Sequence, residues 1–201
     1  MREVTALTRY YVLKLGDKIR YRCRRSGRCC STGPNVALTA YDICRIARYM
    51  NVDWRELRGK YVIAIIADMI AIPALRGMGD GKCAFLEHSN GIPTCKIYPA
   101  RPLRCRLYPF IPASPSNPNK IYVDPYCPGV GIGEEVEPPW KLLKQYYKEV
   151  TEHYRRMYDL VFKEGYEPLD ALEKLIDEVC RKAETNPEWT SYEYLDKLYN
   201  T

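Results

Sequence analysis

Over the first 22 positions apolar and polar side chains alternate in patches (Val4 and Ala6; Tyr11, Leu13 and Leu15; Ile19 and Tyr21). That period of two predicts one or two short strands, parted at Gly16-Asp17. The block RCRRSGRCCSTGPN that follows has no period and reads as a loop. Thr39, with Asp42 three residues on, resembles a helix N-cap. It opens a helix to about Met50, with Ile43, Ile46, Ala47 and Met50 as the buried stripe. A helical turn over Trp54 to Leu57 follows. YVIAIIADMIAI is a long apolar run rich in β-branched residues and stopped by Pro73, which predicts a buried strand, with a helix as the alternative.

CAFLEHS and IPTCKIY flank Asn90-Gly91, and that dipeptide between apolar runs is a strong hairpin signal, with one cysteine on each arm. A strict two-residue turn would pair Cys95 with Leu86 and point Cys83 to the opposite face. Pro93 cannot donate to a ladder, so a bulged or odd-length connection between His88 and Thr94 is expected, with Cys83 and Cys95 on one face. ARPLRC then forms a helical turn delivering Cys105, and RLYPF leaves it extended because Pro109 disfavours helix just before it. PASPSNPNK reads as a loop, IYVDPY as a last short strand and PGVGIGEE as a glycine-rich turn.

Beyond residue 138 the spacing becomes helical, through Trp140, Leu143, Tyr147, Val150, Tyr154, Met157 and Val161, then Leu169, Leu172, Leu175, Ile176 and Val179. Two amphipathic helices and a short third are predicted, the first pair separated by Gly165-Tyr166-Glu167-Pro168. The fold class expected is α+β: a cysteine-rich domain over 1–138 with a β-hairpin, and a helical extension over 139–201 packed on the side away from the cysteines.

Charge is uneven. Residues 1–60 hold 14 Lys or Arg against 5 Asp or Glu, 61–138 hold 7 against 7, and 139–201 hold 10 against 13. The excess is densest at Arg20, Arg22, Arg24, Arg25 and Arg28, beside the first cysteines. This suits charge balance against thiolates, or a surface for RNA, DNA or a ribonucleoprotein partner; without a nucleic-acid module, charge balance is favoured. The first 20 residues carry charges throughout, unlike a signal peptide, and no apolar run reaches the roughly 18 residues that cross a bilayer. A cytoplasmic, membrane-free protein is expected. Abundant Tyr, Arg, Ile and Pro with a single Gln match a thermophile, where intracellular disulfides do occur.

In a reducing compartment the nine cysteines are otherwise metal ligands or redox groups. Cys23, Cys29, Cys30, Cys83, Cys95, Cys105 and Cys127 all fall in loops, turns or short strands, the context in which sulfurs converge on a metal at about 2.3 Å. Gly27, Gly33, Gly129 and Gly131 stand ready as N–H donors to sulfur. Cys44 and Cys180 sit inside amphipathic helices and read as small buried hydrophobes, Cys44 keeping a minor claim as a ligand. Gly129, Gly131 and Gly133 form a GxGxG, but no parallel βαβ unit surrounds it and a turn is the better reading. His88 reads as an exposed turn residue and His153 as structural. No nucleophile–base pattern supports hydrolase chemistry, so catalytic residues stay unknown.

The run R22-C-R-R-S-G-R-C-C30, then C83-A-F-L, C95-K-I-Y-P-A-R-P-L-R-C-R-L-Y-P-F110 and C127-P-G-V-G-I-G133 resembles the CxxCxxCC zinc- or iron-chelating family over about residues 20–133. The resemblance implies a metal site built from eight cysteines. Seven carry over: Cys23, Cys29, Cys30, Cys83, Cys95, Cys105 and Cys127. Ser26 stands where the second cysteine belongs, so one four-cysteine site plus an incomplete one is expected, unless Ser26 or Cys44 supplies the eighth ligand. Thiolates accept zinc and a 4Fe-4S cluster alike; the absence of a C-x2-4-C knuckle leans toward the cluster. Three function classes follow: a structural or redox metal protein within a larger assembly, a cluster-dependent enzyme related to lysine methylases of flagellin, and an RNA- or ribosome-associated protein.

Overall fold

The computed structural model describes residues 10–32, 36–187 and 191–199; the expected strand positions Val4 and Ala6, and Gly33, lie outside them. The class is α+β, with short strands in four antiparallel sheets and helices around them. β1 (Tyr11–Lys14) and β2 (Ile19–Tyr21) fall where the alternation places them. They join different sheets, because Gly16 at φ 93° turns the chain between them. β1 pairs with β8 (Asn117–Val123), which pairs in turn with β7 (Phe110–Ser114). β2 pairs with β9 (Val130–Val136).

Two readings are corrected here. PASPSNPNK is no loop, since it closes the β7–β8 hairpin and supplies much of β8. PGVGIGEE is no simple turn, since most of it is β9. Both strands look like turns in isolation because Pro, Ser, Asn and Gly carry little local strand preference, and a partner distant in sequence decides.

Helix α2 (Ala40–Met50) starts at Thr39 with the full reciprocal cap, Thr39 Oγ1 accepting from Asp42 N and Asp42 accepting from Thr39 N. A 3₁₀ turn spans Trp54–Leu57. The run after it is two strands rather than one: β3 (Val62–Ala67) and β4 (Ile70–Leu75) pair antiparallel about Asp68–Met69, both at positive φ. Asp68 is the polar break in the run. Nor is the run buried throughout, since Ile63, Ile65 and Ile66 of β3 are 38%, 52% and 57% exposed.

Helix α4 (Trp140–Tyr158) continues into a π turn over Asp159–Lys163, α5 (Pro168–Thr185) begins with Pro168 in its first turn, and α6 (Tyr192–Tyr199) is the expected short third helix. Two apolar cores result. The first gathers α2, the 3₁₀ turn, β4, Phe85, Ile97, the far end of α4 and the inner face of α5. The second gathers β1, β7, β8, the start of α4 and Leu195 of α6. No described helix is long and apolar enough to cross a membrane.

Candidate metal centre

The cysteines arrive between these cores on five short pieces of chain. Arg22 N donates to Gly129 O at 3.1 Å, and a Cβ on Gly129 would stand 2.5 Å from Arg22 O, so only glycine lets these backbones approach. That contact sets Cys23 beside Cys127. Cys29 and Cys30 lie in α1 (Arg28–Ser31), a single turn capped by Gly27 at φ 70°. A Cβ on Gly27 would meet Pro93 at 2.4 Å, so the cysteine loop rests directly on the β5–β6 hairpin, β5 being Leu86–Ser89 and β6 Ile92–Cys95. Cys83 N donates to Cys30 O at 2.8 Å, locking these two pieces together. Cys105 comes from α3 (Leu103–Leu107), delivered after Pro102 as expected.

The hairpin itself is a correction. Ser89 pairs with Ile92 across Asn90–Gly91, and Cys95 faces Leu86 in an unbroken two-residue register with no bulge. Pro93 is tolerated because each strand of this two-stranded ribbon has a free edge. His88 is exposed, as read, but sits in β5 rather than in the turn. Cys83 and Cys95 nonetheless line one cavity, because Cys83 precedes the strand: Leu86 N donates to Cys83 O at 2.9 Å, a turn that frees Cys83 from strand alternation.

Cys23, Cys29, Cys30, Cys83, Cys95, Cys105 and Cys127 all line a single cavity of about 480 Å³. Ser26 lines it too. Cys44 does not: it is bonded to Cys180, joining α2 to α5 with Cα atoms 5.5 Å apart, which removes its claim as a ligand and corrects the reading of both as free apolar fillers. Arg24, Arg25, Arg101, Arg104 and Arg106 also line the cavity, against one carboxylate, Asp124. Sequence patterning did not single out Arg101, Asp124, Tyr108 or Tyr199 as cavity residues. Tyr199 shows that α6 reaches the cysteine side instead of packing away from it. Tyr21 and Tyr199 line the cavity together with Cys23.

Burial pushes the thiols of Cys83 and Cys127 up, that of Cys95 up to about 11, and that of Cys105 well above the ordinary range, where neighbouring sulfurs add to the effect. The sulfurs of Cys29 and Cys30 lie 3.7 Å apart, and the hydrogen bond they share lets one thiol ionise more readily while holding the other protonated, Cys29 shifted down and Cys30 up. Backbone N–H groups of Gly129, Ile97 and Phe85 donate to Cys127, Cys95 and Cys83. A pocket of mostly protonated thiols, arginines and N–H donors is matched to a cation cofactor that takes the protons' place, since metal binding deprotonates its thiols and N–H donors then stabilise the thiolates. Among the described residues no three Cys, His, Asp or Glu side chains are gathered closely enough to hold one ion.

An uncharacterized protein of Methanocaldococcus jannaschii, MJ0661, is 31% identical over 169 residues, covering 80% of this chain and 82% of that one. No solved structure matches. The CxxCxxCC family, described as "Putative zinc- or iron-chelating domain", matches residues 22–128, which hold all seven cavity cysteines. The chain therefore belongs to the CxxCxxCC family.

Proposed function

We propose that the chain binds an iron–sulfur cluster through the cavity cysteines and serves as a structural or redox component of a larger assembly. The observation that carries this is the convergence of seven cysteines from separate pieces of chain on one cavity, three more than a single tetrahedral zinc ion takes. When bound, such a cluster supplies one-electron chemistry or a covalent tie between the two cores. The chain's own part is to gather the thiolates around one cavity, donate to them from Gly129, Ile97 and Phe85, and offset their charge with arginines. Arg24, Arg25 and Arg101 line the thiol cavity, which supports charge balance over a polyanion-binding face.

The test is anaerobic purification followed by iron, zinc and acid-labile sulfide analysis with visible and EPR spectra. Iron with matching sulfide is expected. Zinc without sulfide would replace the cluster by zinc, and absence of both metals would end the metal reading.

A further inference from the structure

The ribbon of β3 and β4 presents apolar side chains to water. Ile63, Ile65 and Ile66 of β3 are exposed, as is Met69 in the turn, and between Tyr61 and Leu75 the only charged residue is Asp68. The two edges of the ribbon differ. Leu38 N donates to Pro73 O and Leu75 N to Val36 O, so the segment 36–38 occupies the outer edge of β4. Residues 73 and 75 therefore turn their backbone groups away from β3. Their opposites in the register, Ala64 and Val62, turn theirs away from β4, and by alternation Ile66 does too. Val62 O already accepts from Gly59 N. That leaves the N–H and C=O groups of Ala64 and Ile66 aimed along an outer edge with which no described strand pairs.

Exposed edges are ordinarily blunted by a charge, a proline or a bulge. The β5–β6 ribbon has Glu87 and Pro93, whereas β3 is VIAIIA in unbroken register. Charges around the β3–β4 ribbon are segregated, with Asp68 at its tip, Arg58 and Lys60 just before β3 and Arg76 just after β4. Among the described residues neither Asp68 nor Lys60 makes an ion pair.

We propose that β3 pairs antiparallel with β3 of a second copy of this chain, across a twofold axis at Ile65. This register alone sets both free residues against free residues: Ala64 faces the partner's Ile66 and Ile66 the partner's Ala64, each pair exchanging both backbone hydrogen bonds. Ile65 meets the partner's Ile65 in the closer, non-hydrogen-bonded kind of pair. The acidic tip of each ribbon reaches the basic base of the other, Asp68 lying diagonal to the partner's Lys60, a complementarity that a parallel copy lacks. Segment 36–38 of each copy occupies the outer edges of the resulting four-stranded sheet, so the assembly stops at two. The contact is small and its ion pairs are exposed, so the pairing is weak and the dilute chain is a monomer with β3 in water. The inference is independent of the metal reading.

The test is anaerobic sedimentation of the full chain over a dilution series from roughly 1 mM to roughly 1 μM, with amide hydrogen exchange at both ends. The wild type is expected to move from one chain toward two as concentration rises. Over the same range the Ala64 and Ile66 amides gain protection, while that of Ile65, already in the β3–β4 ladder, changes little. Ile65→Lys sets two cations opposite each other on the axis. Ile66→Pro removes an edge donor at a site where, as at Pro73, the β3–β4 ladder needs none. Both variants are expected to stay single at every concentration, with the circular dichroism of the dilute wild type. A wild type that never associates, association that both variants keep, growth beyond two chains, or association that leaves the Ala64 and Ile66 amides unprotected would each overturn the proposal. Protection of those amides only when another protein is added would assign the edge to a foreign strand and overturn it too. If Ile66→Pro unfolds, Ile65→Lys carries the comparison.

Discussion

Arg45 is 1% exposed and held by two carboxylates, donating to both oxygens of Glu149 and to Asp42, which are 2% and 3% exposed. Burial disfavours its charge, and Glu149 and Asp42 more than offset that. Removing the cation leaves two buried carboxylates uncompensated, so Arg45→Met is expected to cost roughly 3–5 kcal/mol in urea unfolding. His153, 1% exposed, accepts from Ala40 N through Nδ1, and burial lowers its pKa from 6.5 to about 4. The unfolded chain then binds a proton below pH 6.5 that the folded chain refuses until about pH 4. This group's contribution is thus intact above 6.5 and lost as pH falls to 4. The stability difference between wild type and His153→Gln should fall by up to about 3 kcal/mol across that window, and parallel pH profiles would refute it. The structural reading of His153 was legible because it sits on a helical apolar stripe. The Cys44–Cys180 bond was not, since each cysteine looks like a buried filler on its own helix and only the packing of α2 on α5 joins them.

At the scale of elements, what the sequence made legible was local. The Thr39 cap and the Pro168 start each stood where neighbouring residues demanded, and Asn90–Gly91 placed the hairpin, although the bulge expected from Pro93 is absent. The errors were in strands, where β8 and β9 depend on partners far along the chain, and in the 61–72 run, where length suggested one strand and Asp68 made two. Strand β3 leaves Ile63, Ile65 and Ile66 exposed to water, so Ile65→Lys should change stability by less than about 0.5 kcal/mol in urea unfolding. A loss of several kcal/mol would mean that Ile65 is buried in the protein in solution.

For the whole molecule, the order of cysteines made the centre legible, but the place of Tyr199 beside them was not, because α6 reaches the cavity only through packing distant in sequence. The one disulfide bridges a sequence separation of 136 residues. Chain entropy puts its contribution at up to about 5 kcal/mol, with about 2–4 more usual, so Cys180→Ser should lower the thermal midpoint by several degrees. An unchanged midpoint would show that the bond does not form in solution.

Helix α4 starts in one core, with Trp140, Leu142, Leu143 and Tyr147, and ends in the other at Met157, while Glu149 and His153 between them hold α2. Neither core can open without exposing part of this one rod. Native-state hydrogen exchange should therefore find the α4 amides released only in global opening, with a single cooperative unfolding transition in place of two.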